Sequence, residues 1–187
     1  PSLRLRFDGV ELHTDQNGRA LIRRSHDFAG HSLGLVDNEV SLGDRRYTFA
    51  RWAGQRDPDQ AFRPEVTGLP MRASYTVTVA FTVRFPVTPS YVDQHGVPIN
   101  PARISRVTMK SDTGQLVDLP RAGTTWLDGL LPTYHKSVLA NRPVSYSLYA
   151  LMVNGTNVVD AGRQRFQPTR ERAPTFKGAF YDLTVQA

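Results

Sequence analysis

Gly30-His31-Ser32-Leu33-Gly34 matches the G-x-S-x-G spacing of a serine-hydrolase nucleophile elbow, the clearest catalytic pattern in the chain. That elbow needs a buried strand before the serine and a helix after it, because the strained turn between them exposes the hydroxyl. Here Arg23, Arg24, His26 and Asp27 occupy the upstream stretch, and Asp37, Asn38 and Gly43 interrupt any helix downstream. His95 and His135 could complete a serine-aspartate-histidine order, but five histidines and seventeen acids make such an order easy to find by coincidence. Ser32 is therefore read as a solvent-side strand residue, and no catalytic residue is expected.

Other candidates concern binding. Asp15-Gln16-Asn17-Gly18 opens like a calcium loop, but the twelfth position is His26 instead of a bidentate glutamate, so a turn is expected. Asp57 and Asp59 are a weaker cation candidate in a Pro-containing loop. The histidines offer no ligand pair at i, i+2 or i, i+4, although His26 and His31 could meet Asp27 and Asp37 across a hairpin; no metal and no cofactor are expected. Asn154-Gly155-Thr156 has the glycosylation acceptor pattern, which an Asn-Gly hairpin turn already explains. Aromatic faces can stack on sugar rings, and Trp52, Tyr91, Trp126 and Tyr134 are expected in or beside loops. With Arg56 they form the candidate ligand-binding set.

Composition narrows the classes. The chain of 187 residues is 40% hydrophobic and 21% charged, with no cysteine, which excludes disulfides and thiolate chemistry. It is long enough for one large β-sandwich or two small domains. The formal charge is +6, carried by twenty arginines and three lysines. The arginines alternate with apolar residues or neighbour acids instead of forming a basic stripe, which disfavours nucleic acid and leaves loose attraction to anionic envelope polymers. No apolar run approaches the ~20 residues that cross a bilayer, so no membrane insertion is expected within these residues.

The elements that must position these side chains read as strands. Leu3, Leu5 and Phe7 alternate with polar neighbours, Asp8-Gly9 makes a two-residue turn, and Val10 and Leu12 resume the alternation. Short apolar stretches follow at 32–36, 39–42 and 47–52. Residues 55–70, rich in proline and charge, read as a linker or long loop. Beyond it Tyr75, Val77, Val79, Phe81, Val83 and Phe85 share one face of a half-buried strand. Residues 104–119 read as a hairpin turning at Asp112-Thr113-Gly114, and 144–158 as one turning at Asn154-Gly155. Residues 124–140 are the one helical candidate, cut short by Pro132. The expected fold is all-β, an antiparallel sandwich with at most one short helix. It divides into a small module at 1–54, the linker at 55–70 and a larger sandwich at 71–187.

Asp8, Gly9, Thr14, Asp15, Gly18, Ala20, Gly30, His31, Leu33, Phe49 and Trp52 fall in an outline of hairpin, turn, strand and aromatic-ended strand. Over residues 3–54 this resembles the transthyretin-like or Ig-like sandwich modules of bacterial surface proteins, among them the PEGA type. The resemblance implies a non-catalytic, extracytoplasmic module with any anchor outside these residues, and it implies no particular ligand. The expected partner is an envelope polymer, a glycan or another surface protein; a carbohydrate-binding module is the first alternative.

Overall fold

The computed structural model describes residues 2–26, 29–54, 58–74, 76–135, 138–160, 162 and 164–180. The chain is all-β, of the antiparallel sandwich class. In chain order the first strands are β1 (Arg4–Phe7), β2 (Val10–His13), β3 (Gly30–Leu35), β4 (Glu39–Leu42) and β5 (Arg45–Ala53). A 3-10 turn at Pro58–Gln60 leads to β6 (Glu65–Pro70), β7 (Thr78–Val87) and β8 (Ser90–Val92). A second, at Pro101–Arg103, leads to β9 (Ile104–Ser111), β10 (Leu116–Leu119), β11 (Thr125–His135) and β12 (Val138–Pro143). The last are β13 (Tyr146–Val153), β14 (Thr156–Asn157), β15 (Arg165–Phe166) and β16 (Thr175–Lys177).

Two compact units result, one of residues 1–83 with 131–142, the other of residues 84–130 with 143–187. The boundaries differ from the expected break at 55–70. Strand β6 lies within that supposed linker, pairing antiparallel with β3 and burying Val66 and Leu69. Proline and charge are concentrated on the turn before it, which masked a short strand whose apolar content is only those two side chains.

In the first unit, one sheet runs β2-β1-β3-β6. The turn at Asp8-Gly9 has φ of 48° and 81°, the left-handed pair that a two-residue hairpin requires, and it sets Phe7 opposite Val10. Leu5, Phe7, Leu33, Val66 and Leu69 line its inner face and pack with Trp52 of β5; Phe49, Val77 and Val79 complete the apolar layer. Strand β5 belongs to the sheet β12-β11-β7-β5-β4. This is the sandwich arrangement, two sheets closing on alternate side chains.

Strand β7 keeps the expected buried face, with one buried residue on the other side. Val79 packs on the apolar layer, yet its neighbour Ala80, on the opposite face, is only 2% exposed, and burial then falls on Val83, Phe85 and Val87. Thr78 on that opposite face is exposed and Thr82, Arg84 and Pro86 are half-buried, so Ala80 is the exception and the period-two alternation holds along most of the strand. Tyr75 lies outside the described residues. The described residues of 124–140 form no helix: β11 and β12 take up nearly all of them. Thr124, Thr125, Thr133 and Val138 are β-branched, and Pro132 denies a helix its backbone donor.

In the second unit β10-β9-β13-β14 form a sheet with β15 on β13, and β8 pairs parallel with β16. Both expected hairpins are present, with Asn154 and Gly155 at φ of 50° and 81° and Gly114 at 88°. A shift of register between Leu148 and Ala150 turns Tyr149 outward. Inside, Tyr91, Phe176, Phe166 and Tyr146 form a series of ring contacts with centroids 5.7 to 6.1 Å apart, the outer two pairs stacked and the Phe176–Phe166 pair edge-on.

Candidate recognition surface

Ser32 lies inside strand β3, and the next element is another strand, β4. Its backbone is tied to the first hairpin: the Ser32 N–H donates to Asp8 Oδ1 at 2.9 Å, and the Asp8 N–H donates to the Ser32 carbonyl at 3.1 Å. His31 Nδ1 lies 2.7 Å from Asp8 Oδ2, and its ring stacks on Phe7 at 5.3 Å. The Ser32 amide and then His31 hold the Asp8 carboxyl below its ordinary value, since both interactions favour the charged form. Both glycines of the motif have packing reasons. A Cβ on Gly30 would stand 2.9 Å from the Cα of Gly68, where β6 is bulged, and one on Gly34 would press on Glu65 at 3.3 Å. The G-x-S-x-G spacing thus lets β6 approach β3 closely.

Asp15 Oδ1, the first oxygen of the supposed calcium loop, accepts the N–H groups of Asn17 and Arg19 at 2.8 and 2.9 Å, closing a turn. Asp37, which could have met the histidines, forks onto Arg4 at 2.9 Å instead. Asp57 and Asp27 lie outside the described residues.

The five expected ligand residues do not assemble. Arg56 lies outside the described residues. Trp52 is 2% exposed and Tyr91 5%, so neither offers a face to a ligand. Trp52 sits on a strand facing the core, and Tyr91 sits in β8 rather than in a loop. The Tyr91 hydroxyl donates to the Pro120 carbonyl at 2.8 Å, and burial raises its pKa above the ordinary tyrosine value. Trp126 is half-buried on β11, its carbonyl accepting from Arg84 at 2.9 Å. Tyr134 alone of the four described aromatics is exposed, at 41%.

Tyr134 instead belongs to a cluster that sequence reasoning did not assemble. The Arg51 guanidinium carbon lies 5.3 Å from the centre of the Tyr134 ring and 5.1 Å from that of Phe62, within cation–π range of both. Phe62 is 67% exposed yet held in place from beneath. The Trp52 backbone N–H donates to the Ala61 carbonyl at 2.7 Å and the indole Nε1–H to the Arg63 carbonyl at 2.9 Å, so Trp52 grips the chain on either side of Phe62. Gln60 fixes the same turn by accepting from the Thr67 N–H at 2.7 Å. Trp52 is thus a positioning residue for the exposed aromatic whose two chain neighbours it holds. An aromatic at position 62, in a stretch otherwise polar, was the available signal; its pairing with Arg51 and Tyr134 was not visible along the chain.

The second unit has a shallow hollow of about 300 Å³ floored by Phe166 and Phe176. Its rim sets Asp160 and Glu171 against Arg165 and Lys177, so it favours neither sign of ligand. Compared with protein families, curated proteins and solved structures, the chain matches none.

Proposed function

We propose that this chain is a non-catalytic, extracytoplasmic β-sandwich module of a bacterial surface or secreted protein. It binds a glycan through the Arg51, Phe62 and Tyr134 cluster. The observation that carries the reading is the pair of exposed rings, 67% and 41% accessible, held against one guanidinium over a rigid tryptophan clamp. Exposed aromatics on a fixed scaffold present flat apolar faces at little entropic cost, which suits the C–H face of a pyranose ring. The non-catalytic part is supported by the Asp8, His31 and Ser32 contacts, which join two strands and account for the motif by packing. The transthyretin-like or Ig-like outline of residues 3–54 supports the surface location.

A glycan array followed by isothermal titration tests this. One class of oligosaccharide should bind saturably at physiological salt. Phe62→Ala and Tyr134→Ala should each weaken it about tenfold, the worth of roughly one stacked ring. No glycan binding at physiological salt would leave a structural spacer as the better description.

A further inference from the structure

We infer that the ligand of this cluster carries a carboxylate on a sugar ring: it is a uronate unit of an acidic polysaccharide. The inference deepens the glycan-binding reading and rests on it. Both ring contacts of Arg51 are made through the guanidinium carbon at cation–π distance, and such contacts leave the planar N–H fork uncommitted. Among the described residues no carboxylate pairs with Arg51, and its Nε is buried with no hydrogen-bond acceptor. The Nε is covered by protein and out of a ligand's reach, so an incoming planar anion would meet the terminal Nη groups. Carboxylate matches the fork with two parallel hydrogen bonds.

The neighbouring rings narrow the ligand further. Phe62 and Tyr134 flank the cation, so the group reaching Arg51 must bring an apolar face beside its charge. A uronate does this in one unit, with the carboxylate attached directly to the pyranose whose C–H face can stack. A polyol phosphate chain offers charge without such a face. Nucleic acid would need further free cations along a track. In the same unit Arg4 is paired with Asp37 at 2.8 Å, and Arg46 and Arg45 lie 3.9 and 3.7 Å from Glu39 and Asp44. Those three charges are locally offset and add little to a phosphate track.

The test is isothermal titration of the full chain with oligogalacturonate and with its methyl ester, at low and at physiological salt. The acid should bind about tenfold more tightly than the ester at physiological salt, as expected for one charge-assisted bidentate contact. Arg51→Gln should erase that preference, Arg51→Lys should keep only part of it, and Phe62→Ala should weaken acid and ester alike. Thermal melts accompany each variant, and Phe62→Ala, which removes an exposed side chain, serves where Arg51→Gln lowers folding. Equal binding of acid and ester, both dependent on Phe62 and Tyr134, would overturn the uronate assignment and leave the glycan reading standing. Binding of neither, with the other sugars of the array also silent, would overturn both. A preference that survives Arg51→Gln, that physiological salt abolishes, or that a single-stranded oligonucleotide competes away equally would mean diffuse charge attraction, and would also overturn it.

Discussion

Replacing Trp52 with alanine separates a core residue from a surface one and measures the clamp under Phe62. At 2% exposure the indole removes about 200 Å² of apolar surface from water, which at ~25 cal/mol per Å² comes to about 5 kcal/mol as an upper bound. Truncations of buried tryptophan fall at about 3–5 kcal/mol once partial collapse of the cavity is included. The lost indole bond to the Arg63 carbonyl adds about 1 kcal/mol. We expect about 4–5 kcal/mol, or a fall in melting temperature of roughly 8–20 °C at 2–4 °C per kcal/mol for a chain of this size. Trp52→Phe keeps most of the area and loses the indole donor, so it should cost about 1–2 kcal/mol. Urea unfolding followed by circular dichroism reads the loss. Fluorescence in a Trp126→Phe background reads Trp52 alone, with a blue-shifted native maximum that moves to the red on unfolding. A loss under about 1 kcal/mol for Trp52→Ala, or a native maximum already at the solvent-exposed position, would refute the packing argument and the clamp together.

Further outcomes follow from the segment around Ser32. Gly30→Ala should destabilise the fold by about 1–3 kcal/mol, since the new Cβ meets the Gly68 backbone and one strand must move; Ser32→Ala should leave both stability and labelling by a serine-reactive fluorophosphonate unchanged. Labelling that disappears in Ser32→Ala would instead establish a nucleophile. Asp8 has its folded-state pKa lowered by the Ser32 amide and His31, so its stabilising share is present above the unfolded carboxyl value of 3.8 and is lost as pH falls through the depressed one. The melting temperature of Asp8→Asn should therefore lie below that of the parent at neutral pH, with the gap closing in acid. A gap that is constant with pH would remove the ionised carboxylate from the account.

Turns with chemical necessity were legible along the chain, and turns determine register. Asp8-Gly9, Asp112-Thr113-Gly114 and Asn154-Gly155 each place residues at positive φ where the sequence indicated them, and the strands on either side pair as the alternation implies. Strand β6 was obscured because two apolar residues in a proline-rich stretch carry too little periodicity to register, although they seal the core. Strand β11 reads ambiguously along the chain because an isolated run of leucine and tryptophan has no decisive period until neighbouring strands claim its backbone donors.

The candidate site shows the same division more sharply. The sequence by itself determined the all-β class, the tight hairpins and the chemistry on offer, aromatic rings and arginines with no cysteine, because those follow from local sterics and composition. Only the tertiary structure decided which rings face water: Trp52 and Tyr91 turned inward because their polar atoms find carbonyl acceptors there, at Arg63 and Pro120. It also brought Arg51, Phe62 and Tyr134 together from three separate parts of the chain. Contacts between residues so far apart depend on strand order and packing, and no pattern along a single chain encodes a distance across it.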